Sequence, residues 1–117
     1  MKRRFRLTQS ADFKRVRRYG NSFAHPLIVL VVLENQMEFS RFGVVAGRTL
    51  GKAVKRNRAK RLMRAAINPY IEAIKPGLDI MLIARQSFSQ ADLTTAQSVL
   101  KNLLERAKLL NNLDDDN

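Results

Sequence analysis

The sequence predicts an α+β protein, a sandwich in which helices pack on a sheet. Short, unbroken apolar runs indicate buried strands, and longer segments repeat apolar residues at helical spacing. These segments follow one another as helix, strands, helix, strand, helix, an order typical of helices packed against a sheet. With 117 residues, 45% of them hydrophobic, the chain is long enough for one domain over residues 1–117 with its own core.

The amino-terminal region combines a basic arm with a short helix. Residues 1–7 (MKRRFRL) carry four cations without a packing pattern, which predicts a flexible arm that orders on a partner. Ser10 is a candidate N-cap, and Asp12 falls in the first helical turn, where the helix dipole favours an anion. We expect Gly20 to end this helix.

Apolar runs predict the strands. A short strand at 22–24 precedes Pro26, and Leu27–Leu33 is expected to be buried on both faces because it does not alternate. Arg41–Ala46 is predicted to pair antiparallel with Leu27–Leu33, and Leu78–Ala84 supplies a further long strand. The longest apolar run has seven residues, far fewer than the roughly 20 that span a bilayer. We therefore expect no membrane association and a cytoplasmic location.

Two longer helices are predicted. The first runs from Lys52 to about Ile74, before Pro76-Gly77, and the second from Gln90 to about Leu110, followed by a frayed acidic tail at 111–117. The first helix has two stripes roughly 160° apart, so that one face can pack while the other binds. The apolar stripe consists of Ala59, Leu62, Met63 and Ala66, and the polar stripe of Asn57, Lys60, Arg61 and Arg64.

The distribution of charge points to a polyanionic partner. The formal net charge is +12, and 17 of the 22 Lys and Arg residues lie in 2–18 and 41–64, with one acidic residue in the first stretch and none in the second. A solvated helix normally interleaves charges of both signs, whereas KRNRAKRLMR offers its cations no acidic neighbour. A generic basic surface is the alternative, but an amphipathic helix with its own core stripe favours nucleic acid.

Aromatic residues could stack on unpaired bases. Phe13 is the best candidate because it lies on a short helix surrounded by cations, although an ordinary core position is equally compatible with the sequence.

Residues suited to catalysis are scarce. The chain has no Cys, its sole histidine, His25, lacks a catalytic constellation, and its carboxylates are scattered. No phosphate-binding GxxxxGK[ST] loop is present. These observations favour an RNA-binding protein over a self-sufficient nuclease.

The segment RFGVVAGRTLGKAVKRNRAKRLMR, Arg41 to Arg64, resembles the signature of the bacterial ribonuclease P protein family. The resemblance continues through Arg6–Gly20 and Leu78–Arg85, which covers nearly the whole chain. It implies an αβββαβα two-layer sandwich, ribosomal-protein-like, with a central mixed sheet and an uncommon left-handed βαβ crossover. It also implies that the RNA subunit, with bound Mg²⁺, cleaves the 5′ leader from precursor tRNA.

The resemblance implies that the protein contacts the catalytic RNA and the leader, assists leader removal and broadens substrate range. We expect one protein per catalytic RNA. The resemblance assigns contact with the RNA subunit to Arg48, Lys52, Arg56, Asn57, Arg58, Lys60, Arg61 and Arg64. It assigns the leader to Phe13, Arg15, Arg17 and Arg18. Relatives often have aromatics where Arg17 and Val31 stand, so we expect weaker stacking here. A small ribosomal protein is the alternative.

Overall fold

The computed structural model describes residues 5–111, and these form the αβββαβα order that the resemblance implied. The elements are α1 (Ser10–Tyr19), β1 (Asn21–Ala24), β2 (Ile28–Glu34), β3 (Arg41–Ala46), α2 (Ala53–Ile67), β4 (Leu78–Ala84) and α3 (Leu93–Arg106).

The four strands form one mixed sheet in the order β1-β2-β4-β3. β4 pairs antiparallel with β2 and parallel with β3, so the prediction that β3 pairs antiparallel with β2 is wrong. The connection from β3 to β4 runs through α2, and such a crossover allows the two strands to lie parallel and adjacent. β4 thereby occupies the interior position between β2 and β3. The left hand of this crossover stays a prediction.

Both faces of the sheet pack against helices, as the apolar β2 run predicts, but the face under α1 is only partly covered. Leu30 and Leu82 face the larger core, which α2 and α3 cover, and both are fully buried. Val31 and Met81 point to the opposite face, where they pack with Val16 of α1. The helix α1 therefore lies alone on one face of the sheet, away from the layer formed by α2 and α3.

Helix ends differ from the expected boundaries for local reasons. The α2 helix ends at Ile67 because Pro69 follows, and a 3₁₀ segment, Asn68–Ala73, completes the region predicted as helix. Ser10 is the first helical residue and Gln9 occupies the cap position, so the N-cap prediction is wrong by one residue.

Part of the predicted amino-terminal arm packs against the rest of the protein. Leu7 is buried, its backbone N–H donates to the carbonyl of Phe42 at 2.8 Å, and Phe5 makes an edge-to-face contact with Phe39. The prediction of a flexible arm is wrong for residues 5–7, because their apolar side chains reach the edge of the sheet. Residues 1–4 of the arm, and 112–117 of the predicted acidic tail, lie outside the described residues.

Within residues 5–111, no helix is both long enough and apolar enough to cross a membrane.

Candidate nucleic-acid interface

The α2 helix presents one packed face and one cationic face. Ala59, Met63 and Ala66 are buried against the main core, whereas Asn57 and Arg61 are exposed. The two stripes predicted from the sequence therefore separate as their spacing requires. Leu62 is only partly buried, at the margin of the packed face.

Within residues 5–111, the cationic face of α2 has no internal partners. Among the described residues, no acidic side chain lies within salt-bridge distance of the cations on this face, and none of these cations donates a side-chain hydrogen bond. The set comprises Arg48 and Lys52 before the helix and Arg56, Lys60, Arg61 and Arg64 on it. Such a concentration of like charge is stabilised by an external polyanion.

Arg58 differs from its neighbours in the RNR sequence. Its guanidinium donates to the carbonyl oxygen of Ala91 at 3.0 Å and to that of Ser89 at 3.5 Å. These bonds tie α2 to the turn before α3. Arg58 is therefore engaged within the protein, unlike the other cations of this face, although the sequence predicted it as an RNA contact.

A cleft of about 460 Å³ opens between α2, the amino-terminal segment and β3. Lys60 and Arg64 line it from α2, Arg6 from the amino-terminal segment and Phe13 from α1. Partial burial, together with repulsion from Arg6, lowers the pKa of Arg64 from its ordinary value. The cleft thus holds cations that repel one another, which suits it to a phosphate group.

Sequence reasoning missed the position of Arg6 in this cleft. The residue lay within the predicted arm, but its isolated bridge to Phe42 places it beside Arg64. Pairing between the arm and β3 is not visible in local sequence periodicity. Only the basic character of the segment signalled a role.

The face of the sheet under α1 is covered over half its length. Val31 and Met81 are buried there, whereas Val29, Val45 and Ile83, nearer the other end of the same face, are half-buried. This difference leaves an apolar strip beside α1 that can accept a flat base.

The α1 residues predicted for the leader do not all face this strip. Phe13 is half-buried and lines the cleft, and Arg17 and Arg18 are exposed, with the Arg18 guanidinium 5.4 Å from the centre of the Tyr19 ring. Arg15 points elsewhere: it binds the buried carboxylate of Asp79. A sequence-predicted leader residue is therefore engaged within the protein.

Asp79 is the centre of a network that joins α1, β3, β4 and the turn after β2. Arg41 donates to both of its oxygens, through Nε at 2.9 Å and Nη2 at 2.8 Å, and Asn35 donates to Oδ1 at 2.9 Å. Arg15 donates to Oδ2, and Asp12 lies 3.4 Å from Arg15 and 3.5 Å from Arg41. Burial alone raises the pKa of Asp79, but the three donors outweigh it and hold the pKa below its ordinary value.

Within residues 5–111, no group of three or more His, Cys, Asp or Glu side chains could hold a metal ion. The Asp12 and Asp79 carboxylates are close but are bound by guanidinium groups.

Unpaired cations around a partly aromatic cleft, carried on a packed α+β domain, define an RNA-binding protein. The family model for ribonuclease P matches residues 1–108, and the chain belongs to this family.

Relatives and solved structures agree with that assignment. The chain is 38% identical over 104 residues to the ribonuclease P protein component of Clostridioides difficile strain 630, covering 88% of this chain and 91% of the relative. It is 39% identical over 109 residues to that of Herpetosiphon aurantiacus, covering 93% and 89%.

Two solved RNase P proteins share the fold. The Staphylococcus aureus protein superposes with a TM-score of 0.83 at 31% identity, covering 92% of this chain and 98% of the other. The Thermotoga maritima protein gives a TM-score of 0.78 at 34% identity, with coverage of 86% and 96%. The chain is thus the protein subunit of a ribonucleoprotein endoribonuclease, its partner is the RNase P RNA, and a ribosomal protein is not favoured.

Proposed function

We propose that the cationic face of α2 binds the RNase P RNA, and that the strip and cleft beside α1 bind the single-stranded 5′ leader of precursor tRNA. The observation that carries the proposal is the unpaired cationic face of α2 opposite a packed one. The cationic face and the cleft are adjacent, because Lys60 and Arg64 of α2 line the same cleft as Phe13 of α1. One protein molecule can therefore contact the RNase P RNA and the leader of precursor tRNA at the same time.

The proposal assigns hydrolysis to the RNA subunit. Mg²⁺ held by that RNA would supply the activated water and stabilise the leaving oxygen. The His25 side chain supports a structural role, because its Nδ1 accepts a hydrogen bond from the backbone N–H of Leu27 at 3.1 Å. The protein contributes binding and charge neutralisation.

Two physical effects would assist the reaction. Contacts to the leader stabilise precursor but not product, because mature tRNA lacks the leader, and this allows one enzyme to accept varied precursors. Cations between two polyanions reduce their repulsion, which lowers the Mg²⁺ concentration that cleavage needs. The proposal includes one protein per catalytic RNA and a cytoplasmic location, where precursor tRNA is available.

The test is a Mg²⁺ titration of precursor cleavage by the RNA subunit, with and without protein, alongside binding of precursor and mature tRNA. We expect the protein to lower the Mg²⁺ requirement and to favour precursor. The triple variant Lys60→Gln, Arg61→Gln, Arg64→Gln should lose the first effect. Unchanged Mg²⁺ demand and equal affinity for precursor and product would refute the proposal.

A further inference from the structure

The cations of α1 divide into an inward and an outward set. Arg15 reaches the fully buried Asp79, which lies 64 residues further along the chain, while Arg17 and Arg18 remain exposed. The guanidinium of Arg41, the first residue of β3, also donates to the carboxylate of Asp79. Two cations in the most basic stretches of the sequence are therefore already paired with a carboxylate of the protein.

The α1 helix has few other attachments to the sheet. It spans ten residues, and Val16 is its one buried residue. The network around Asp79 joins α1 through Arg15 and Asp12 to β3 and β4 at one end of the sheet face. The orientation of α1 therefore depends on this network in addition to the apolar packing of Val16 and Phe13 on the sheet.

That orientation sets the leader side of the interface. Phe13 lies two residues before Arg15, and Arg17 two residues after it, so a shift of Arg15 moves both. Phe13 borders the cleft, and its ring has little room to adjust because it packs on β3 at Gly43.

We propose that Asp79 is a specificity-determining positioning residue: it holds Arg15 and Arg41 away from RNA and fixes α1 so that Phe13 and Arg17 meet the leader. The inference rests on the proposed leader binding. Its distinctive consequence is that Arg15, despite its charge and position, contributes no phosphate contact, whereas Arg17 does.

The first test compares Arg15→Gln with Arg17→Gln in complexes reconstituted with the RNase P RNA. Affinity for precursor and mature tRNA is measured across a range of salt concentrations. A lost contact to a single-stranded phosphate reduces the slope of log affinity against log salt by about 0.7. We expect that reduction for Arg17→Gln alone, while Arg15→Gln keeps the slope and lowers the precursor preference by about fivefold or more, through loss of stacking.

The second test uses Asp79→Asn, which releases both guanidinium groups. Glu72→Gln is its control, because it makes the same charge change at an exposed site outside the network. We expect Asp79→Asn to steepen the salt dependence while weakening the precursor preference, and Glu72→Gln to do neither. Adding Arg15→Gln to Asp79→Asn should reduce the slope again, although the same change leaves the slope of the wild type unaltered.

The outcomes are separable. A reduced slope for Arg15→Gln, equal to that of Arg17→Gln, would overturn the inference because Arg15 would then be a phosphate contact. A precursor preference that survives Arg15→Gln would also overturn it. Should the wild-type complex show no precursor preference, the leader-binding proposal itself fails. Arg15→Gln leaves the Arg41 pair with Asp79 in place, so the inference stays testable if Asp79→Asn does not fold.

Discussion

The ring of Phe13 packs so closely on Gly43 that a Cβ at position 43 would lie 2.6 Å from Cε1 and 2.8 Å from Cζ of the ring. Leu7 closes the site from the other side, with its Cβ 3.0 Å from the same point. The absence of a side chain at position 43 therefore determines where the predicted stacking residue sits.

Gly43→Ala should displace the Phe13 ring. Overpacking of this kind costs about 1 to 3 kcal/mol of the free energy of unfolding, and the displaced ring should weaken the precursor preference. Denaturant unfolding and binding of precursor and mature tRNA measure the two effects. Gly47→Ala is the matched control, because a Cβ at position 47 meets nothing within 4 Å. Equal behaviour of the two variants would contradict the expected role of the Phe13 contact.

Arg61→Gln and Arg58→Gln should behave differently although both change the same helix. Arg61 is exposed and without a partner among the described residues, so its loss should reduce the salt slope of RNase P RNA binding by about 0.9 and leave stability unchanged. Arg58→Gln should keep the slope and reduce the free energy of unfolding by about 1 kcal/mol, because the carbonyl of Ala91 loses its donor. Salt-dependent binding and urea unfolding of both variants provide the measurement. A slope reduced by Arg58→Gln would return that residue to the RNA contacts.

Local periodicity accounts for what the sequence could predict of the site. The two stripes of α2 follow from residue spacing alone, because helical geometry fixes which side chains share a face. Ala59 and Met63 are buried and Asn57 and Arg61 exposed for that reason.

Long-range pairing accounts for what could not be predicted. The strand that pairs with β3 is β4, which follows α2 in the chain. The ion pair of Arg15 likewise depends on Asp79 in that same strand. The engagement of Arg58 likewise depends on a turn 33 residues away. A basic residue in a basic segment gives no local sign that its charge is already paired.

Phe13→Leu should separate the stacking role of Phe13 from its packing role. Leucine keeps apolar contact with the sheet but has no flat face, so we expect leader affinity to fall about fivefold or more with a small loss of stability. Phe23→Leu, which makes the same change in a partly buried ring packed on the larger core and outside the cleft, is the control. Competition binding with precursor and mature tRNA measures the effect. An unchanged precursor preference would indicate that Phe13 serves only the core.

The Asp79 network should make stability depend on pH in a specific direction. Because the folded pKa of Asp79 lies below its ordinary value of 3.8, the unfolded chain takes up the proton first as the pH falls. The contribution of Asp79 is therefore complete above about pH 4 to 5 and disappears as the pH falls through the folded pKa. At pH 6, Asp79→Asn should reduce the free energy of unfolding by about 3 to 5 kcal/mol, the usual effect of removing one partner of a buried ion pair.

Urea unfolding at pH 6 and at pH 3 measures this dependence. The free energy of unfolding should fall less between these pH values in Asp79→Asn than in the wild type or in Glu72→Gln. Equal losses in all three proteins would mean that acid destabilisation arises elsewhere. The guanidinium groups would then stabilise the ionised Asp79 carboxylate in the folded protein no more than water does in the unfolded chain.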